Sequence, residues 1–335
     1  MRIGLALPHY DCSTPGVNPT SIDTVLDVAR RAEAWGYDSL WVSDHLTWDL
    51  RKYGGDDTRY GVTEALGTLA ALASGTDRAR IGSLVLCEAL RHPAVLAKSL
   101  ATIDRISDGR VDVGIGAGWY EADYDAIGVT MPAPGRRITR LGEYAAIVQA
   151  MLDGTTGPVD HHGAEYDVRA AHNDPPAVQQ PVPVFLGGKG DRLLATVARL
   201  GTGWNTCWSW TVDAYRERLE ALERACERVG RDPSTISRSL GLYTLCGEDE
   251  RDVRRRFERL VATSPAGVLA GVTLDDFRRG RLVGTADEVT EQLAAWTELG
   301  VETVIAGFGA VPFQLAALDD AELFASVSAK RASER

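Results

Sequence analysis

The sequence predicts an α/β fold, a (β/α)8 barrel formed by one domain over residues 1–335. Short apolar runs of strand length alternate with amphipathic runs of helical spacing along almost the whole chain. Such alternation is typical of parallel strands that are joined by helices. The strand-like runs lie near Ile3, Leu40, Ile81, Val111, Val184, Gly203, Leu240 and Val304. Eight strands are the number that closes this barrel.

The helices of the first half follow from their caps and spacing. Thr20 or Ser21 is placed to cap a helix that ends near Gly36, because hydroxyl side chains favour the first position and glycine the last. Pro93 opens another helix at the turn where proline is preferred. The helices of this half are predicted at about 22–36, 64–74, 93–108 and 137–152.

Two irregular stretches break the alternation, and we predict them as insertions after strands four and seven. The first, 154–183, contains GPVDHHGAEYDV, which has the pattern of a short surface hairpin, and then a proline-rich connection. The second covers 264–282. The other helices are predicted at 191–200, 212–229, 248–262 and 287–300, with a C-terminal segment from 312.

Composition excludes several functions. The formal net charge of −11 argues against a general affinity for nucleic acid or anionic membranes. The first residues lack the long apolar core of a signal peptide, and no apolar run approaches about 18 residues. The five cysteines lie far apart without CxxC spacing, so neither a disulfide framework nor a metal site is predicted. The sequence therefore predicts a cytoplasmic protein.

Polar and aromatic side chains follow several strands at the carboxyl end, where barrel enzymes place their active sites. Asp44 and His45 follow the strand that contains Leu40. A lone histidine at such a place is more often structural, but its predicted neighbours favour a functional residue. Those neighbours, and the predicted substrate pocket, are His9, Trp48, Glu88, Trp119 and Trp208. Together these strand ends predict a pocket for a large planar ligand.

Two glycine-rich motifs follow strands four and five. GIGAG, residues 114–118, is not a dinucleotide fingerprint, because Trp119 and Glu121 stand where the last glycine is required. Its glycines serve either the close approach of a ligand or tight packing in the barrel. The turn 187–190 joins a strand to a helix, where free N–H groups and Lys189 suit a phosphate.

Longer segments carry a resemblance to a known family. They are WVSDH, RHPAVLAKSLATIDRISDGRVDVGIGAGW, PVPVFLGGKGDRLLATVARLGTGWN, VGRDP and VGTADEVTEQL. With them the chain resembles the luciferase-like monooxygenase superfamily, and specifically its actinobacterial branch of deazaflavin-dependent oxidoreductases. The resemblance covers nearly the whole chain. It implies a barrel, usually a homodimer, that binds reduced FMN or the deazaflavin F420 at its carboxyl mouth.

The resemblance also implies residue roles. The family's Asp-His pair matches Asp44 and His45, with the histidine at the redox face of the cofactor. A cis peptide outside proline is expected between Leu84 and Val85. Trp119 replaces the glutamate of the sugar-phosphate dehydrogenases, so their reaction is not expected here. The cofactor-binding residues are expected to be Asp44, Leu84, Val85, Gly116, Gly118, Gly187, Gly188, Lys189 and Gly190.

The function that follows is F420-dependent hydride transfer between the deazaflavin C5 and a small organic substrate. His45 would be the catalytic acid–base, because imidazole exchanges protons near neutral pH. Asp44 would bind the cofactor or fix its loop. One alternative is a two-component FMN monooxygenase, for which a separate reductase would regenerate the reduced cofactor. The other is a non-catalytic flavin-binding protein.

Overall fold

The structure is a computed structural model that describes residues 1–154 and 157–333, with side chains to residue 329. Eight parallel strands close a barrel with the predicted alternation. Around the ring they are β1 (Arg2–Ala6), β2 (Ser39–Val42), β3 (Arg80–Ser83), β5 (Val111–Gly116), β8 (Val184–Gly187), β9 (Gly203–Trp208), β10 (Ser237–Gly247) and β12 (Thr303–Gly307). The two-residue strand β4 (Leu86–Cys87) follows β3 and pairs with β5. The predicted barrel and all eight strand positions are confirmed.

Helices surround the barrel on its outer face. They are α1 (Ile22–Trp35), α2 (Ala65–Gly75), α3 (Pro93–Ile106), α4 (Glu121–Ala126), α5 (Pro134–Asp153), α6 (Asp191–Leu200), α7 (Val212–Val229), α8 (Glu250–Thr263), α9 (Leu274–Arg278), α10 (Ala286–Glu298) and α11 (Leu318–Ser333), with 3-10 turns at Arg51–Tyr53 and Pro233–Thr235. The short helices α4 and α9 were not predicted. No helix within residues 1–154 and 157–333 has both the length and the apolarity that crossing a bilayer demands.

The predicted caps are present. Ser21 Oγ accepts the N–H of Thr24 at 3.2 Å, and Gly36 ends α1 with a φ of 96°. Pro93 opens α3. These local signals fixed the helix ends because each one satisfies backbone groups that the helix itself leaves unpaired.

The strands alternate between two cores, as a period of two requires. Leu40 and Val42 face outward into the layer between strands and helices, whereas Trp41 faces the barrel interior. Its indole fills that interior because the strands beside it carry glycine. A Cβ at Gly4 or Gly82 would lie 2.6 Å or 2.4 Å from the indole.

Both irregular stretches contain structure of their own. The first holds an antiparallel hairpin of β6 (Val159–His162) and β7 (Asp167–Ala171), as predicted. The second contains α9, and β11 (Leu282–Thr285) follows it and extends the sheet beside β10. Whether they are insertions relative to the family stays a prediction, as does the single domain over residues 1–335.

Candidate active site

A pocket of about 320 Å³ opens at the carboxyl end of the barrel strands. It is large enough to hold a ring system, since ligand sites begin at about 300 Å³. The predicted residues that line it are Asp44, His45, Trp48, Leu84, Val85, Gly116, Gly118, Trp119, Gly187, Gly188, Lys189 and Trp208. His9, Glu88 and Gly190 are not part of the lining. The roles of all these residues stay predictions.

His45 forms a pair with Asp123. The Nδ1 atom of His45 lies 2.7 Å from Asp123 Oδ2, and the backbone N–H of Leu46 donates to the other carboxylate oxygen at 2.9 Å. Because a carboxylate only accepts hydrogen bonds, Nδ1 carries a proton. In the neutral imidazole the lone pair is then on Nε2. The side chains of His45 and Asp123 are 11% and 3% exposed, which shields this pair from water.

Asp123 was missed by sequence reasoning. It lies on α4, which follows β5 directly but is only six residues long. The available signal was an acidic side chain in the first turn of a helix at a strand end. The contact to His45 spans 78 positions, however, and no local pattern predicts such a pairing.

Aromatic rings surround His45 on the pocket side. The ring centroids of Trp48, Tyr120 and Trp119 lie 4.6, 5.5 and 5.8 Å from that of His45. Lys52 Nζ lies 3.6 Å from the centroid of a Trp119 ring, which joins the loops after β2 and β5 across the mouth. The imidazole of His45 therefore lies among aromatic rings that limit the access of water.

Asp44 has its carboxylate fully engaged. Both oxygens accept from the Arg91 guanidinium, at 2.6 and 2.9 Å, and one also accepts the N–H of Cys87 at 2.8 Å. A bidentate pair of this kind fixes geometry strongly. Of the two roles considered for Asp44, fixing the loop is the one that these contacts favour.

Two predicted pocket residues lie behind the pocket wall. His9 is fully buried, and its Nε2 accepts the N–H of Ser43 at 3.0 Å. Burial, with the charge of His45 as a smaller cause, lowers the pKa of His9 to about 3. Glu88 is 1% exposed and accepts from Tyr166 Oη at 3.0 Å, and burial raises its pKa. Strand-end position placed both residues near the site, but their side chains turn into the protein.

Close packing in the barrel accounts for glycine at positions 114 and 116 of the GIGAG motif. A Cβ at Gly116 would lie 2.5 Å from Val85 Cγ2, and one at Gly114 would lie 2.1 Å from Ser83 O. Gly118 has a φ of 68°, in the left-handed region that favours glycine. The peptide between Leu84 and Val85 is cis, as predicted. A second non-proline cis peptide, between Cys207 and Trp208, was not predicted.

The turn 187–190 fits a phosphate. The helix α6 begins after Gly190 without a side-chain cap, so its first N–H groups are available to a ligand. Gly188 has a φ of 139°, and a Cβ there would lie 2.7 Å from Leu193. Lys189 and Lys52 both line the pocket, and neither has a carboxylate partner in the described part of the chain. A ring cofactor with a phosphate on its side chain fits this arrangement.

Known proteins are similar to this chain in sequence. The F420-dependent glucose-6-phosphate dehydrogenase of Kineococcus radiotolerans is 33% identical over 226 residues, which are 67% of this chain and 64% of that protein. The dehydrogenase of the same description from Amycolatopsis mediterranei is 33% identical over 233 residues, 66% of each chain. The match thus spans just under two thirds of the length of these relatives.

Solved structures share the fold at lower identity. An F420-dependent secondary alcohol dehydrogenase, in complex with an F420–acetone adduct, matches with a TM-score of 0.75 and 21% identity over 97% of both chains. The F420-dependent tetrahydromethanopterin reductase of Methanopyrus kandleri matches with a TM-score of 0.72 and 20% identity, again over 97% of both chains. A family model for luciferase-like monooxygenases matches residues 1–303. The chain therefore belongs to the luciferase-like monooxygenase family.

Proposed function

We propose that the protein is an F420-dependent oxidoreductase that moves a hydride between the deazaflavin and a small organic substrate. The observation that carries this proposal is the His45–Asp123 pair, which faces a pocket that also contains the glycine-rich turn 187–190. The named F420-dependent relatives support the choice of cofactor.

The pocket has two functional ends. At one end the turn 187–190 and Lys189 hold the phosphate side chain of the cofactor. Bound F420 supplies a carbon centre, C5, that accepts or donates a hydride. At the other end His45 exchanges the proton that accompanies the hydride. The cofactor phosphate is thus bound at one end of the pocket, and the proton is exchanged at the other.

His45 takes the proton of a substrate hydroxyl when an alcohol is oxidised. Nδ1 donates to Asp123, so Nε2 offers its lone pair to the hydroxyl while the carbon of the substrate loses a hydride. The imidazolium that forms is stabilised by the Asp123 carboxylate. In the reverse direction the same Nε2–H returns the proton to a carbonyl oxygen.

The substrate side is aromatic. Trp48, Tyr53, Trp119 and Phe313 contribute to the lining, with no carboxylate at position 119. An apolar or aromatic alcohol, or the corresponding ketone, matches these walls better than a sugar phosphate. A homodimer, a separate cofactor-regenerating reductase and a cytoplasmic location stay predictions from the sequence.

Titration of the purified protein with reduced F420 and, separately, with reduced FMN tests the cofactor. We expect reduced F420 to bind more tightly than reduced FMN, and, in a separate anaerobic assay, alcohols to reduce oxidised F420. Tight FMN binding with oxygen-dependent turnover would contradict this proposal and show a two-component FMN monooxygenase instead. Binding without any turnover that depends on His45 would favour a carrier.

Gly188→Val tests the phosphate turn. We expect cofactor affinity to fall by at least about 10-fold, because a β-branched side chain has no room beside Leu193 and disfavours a positive φ. Gly67→Ala, in the exposed first turn of α2, is the matched control and should leave affinity unchanged. If the melting temperature of Gly188→Val fell while affinity stayed the same, the turn would be structural only.

A further inference from the structure

A second cavity, of about 580 Å³, lies outside the barrel between α5 and α6. We call it the outer groove. The residues that define it are Gly135, Gly142 and Glu143 on α5 and Arg192, Thr196 and Arg199 on α6.

The groove exists because α5 presents glycine to α6. A Cβ at Gly135 would lie 2.1 Å from Arg192 Nη1, so the guanidinium packs directly against the backbone of α5. Further along, a Cβ at Gly142 would still be 3.8 Å from Thr196 Cγ2. The two helices therefore leave a channel between them at this level.

Two unpaired arginines give the groove its charge. Arg192 and Arg199 are both exposed and are seven residues apart, which places them on one face of α6 about 10 Å apart along its axis. Neither guanidinium has a carboxylate partner in residues 1–154 and 157–333. On a chain with a formal net charge of −11, this pair is a local attraction for anions.

Other charges near the groove are already compensated. On α5, Arg136 pairs with Glu165 at 2.9 Å and Arg140 pairs with Glu88 at 3.1 Å. The acid of the groove, Glu143, turns its carboxylate to the hairpin, where it accepts the N–H groups of residues 164–166 at 3.0 to 3.1 Å. His161 lies 3.5 Å from the same carboxylate. The two arginines are thus the groups left to bind an anion.

The outer groove and the phosphate turn use neighbouring residues of the chain. Lys189 lines the active-site pocket, and Arg192, three residues later, lines the groove. F420 carries glutamyl carboxylates beyond its phosphodiester, whereas FMN ends at its phosphate. We propose that the outer groove binds the oligoglutamyl tail of F420, with Arg192 and Arg199 pairing with successive carboxylates. This proposal rests on the proposed cofactor.

The test compares two cofactor forms by fluorescence titration, which does not depend on turnover. One is F420 with several glutamyl residues, and the other is the same deazaflavin with the tail removed back to the phospholactyl group. We expect the wild type to bind the long form more tightly. Arg199→Gln should reduce that advantage by up to about 5-fold, and Arg192→Gln together with Arg199→Gln should reduce it further. Affinity for the tailless form should stay within about 2-fold.

Two further variants separate charge from fold. Arg228→Gln, on exposed α7, removes the same charge outside the groove and should preserve the advantage of the long form. Gly142→Leu fills the channel without a change in charge and should abolish the tighter binding of the long form. The proposal is overturned if the wild type binds both forms equally, or if the double arginine variant keeps the full advantage. If neither form binds at all, the cofactor assignment itself fails, and the tail site with it.

Discussion

His9 and His45 follow neighbouring strands, β1 and β2, at the same end of the barrel, yet their rings are used differently. His9 uses Nε2 to accept a backbone N–H inside the protein. His45 uses Nδ1 to donate to Asp123, so its Nε2 remains for the pocket. Position at a strand end therefore selects candidate residues, whereas the partner of each ring nitrogen decides which histidine can exchange a proton with a ligand.

The protonation of His9 strengthens this contrast. With burial lowering its pKa to about 3, His9 is neutral near pH 7 and does not take up a second proton there. Loss of the proton on the other ring nitrogen is also unfavourable in free energy, because the buried ring would lose its hydrogen bonds. These contacts favour a structural role for His9, in which it holds the loop that carries Ser43.

His45→Ala is expected to have the largest effect. Turnover should fall by at least about 10²-fold, the lower range for a lost acid–base group, with cofactor affinity within a few-fold. His172→Ala, at an exposed position outside the pocket, is the control. Measuring kcat, cofactor affinity and unfolding on the same protein checks the claim. Unchanged turnover at full cofactor occupancy would remove His45 from catalysis and erase the difference between the two histidines.

We expect His9 to make the folded protein less stable at acidic pH. Its pKa is lower in the folded state than its usual 6.5, so the unfolded chain binds more protons between about pH 6.5 and 3. The stability that neutral His9 contributes is therefore present above pH 6.5 and is lost as the pH falls. Between pH 6.5 and 4.5 we expect a loss on the order of 2 to 3 kcal/mol from this group.

The matched variant is His9→Gln, which keeps an acceptor for the N–H of Ser43 but does not titrate. Denaturant unfolding at several pH values should give a flatter profile for the variant than for the wild type. Parallel profiles would mean that His9 is accessible to protons in the folded protein.

The barrel could be predicted from sequence because its signals are local. A period of two in strands and the caps at Ser21, Gly36 and Pro93 each act within a few residues. His45 was found for a similar reason, since a strand end is a local feature. Asp123 was not predicted, because its importance depends on a contact with His45 that exists only when the barrel is closed.

Two candidates that do not line the pocket have a related physical explanation. His9 and Glu88 satisfy the strand-end rule, but the direction of a side chain depends on the packing around it. His9 turns inward because Ser43 offers it a donor, and Glu88 because Arg140 and Tyr166 do. The glycines of GIGAG fitted two interpretations. Gly114 and Gly116 pack closely against Ser83 and Val85, while Gly116 also lines the pocket, so the approach of a ligand to it stays a prediction.

Asp123→Asn should have an intermediate effect. An amide that turns its NH2 toward His45 would make Nδ1 an acceptor and leave the proton on Nε2, which is the wrong tautomer for a base. We expect kcat to fall about 10- to 100-fold with KM and cofactor affinity little changed. A fall in melting temperature with kcat per folded molecule unchanged would show that Asp123 only supports the loop at Leu46.

Tyr10→Phe should have the smallest effect, and it probes the link between the two histidines. Tyr10 lines the pocket, its hydroxyl is hydrogen-bonded to Ser43 Oγ, and Ser43 Oγ lies 3.1 Å from His9 Nε2. Burial raises the pKa of Tyr10 well above its usual value, so the phenol stays neutral and does not serve as a base. We expect a stability loss of about 1 kcal/mol, typical of one hydrogen bond, and kcat within about 3-fold. Thermal unfolding and steady-state kinetics on the same preparation measure both. If kcat instead fell as far as in His45→Ala, the chain from Tyr10 through Ser43 to His9 would carry protons, and His9 would have to be counted with His45 as part of the reaction.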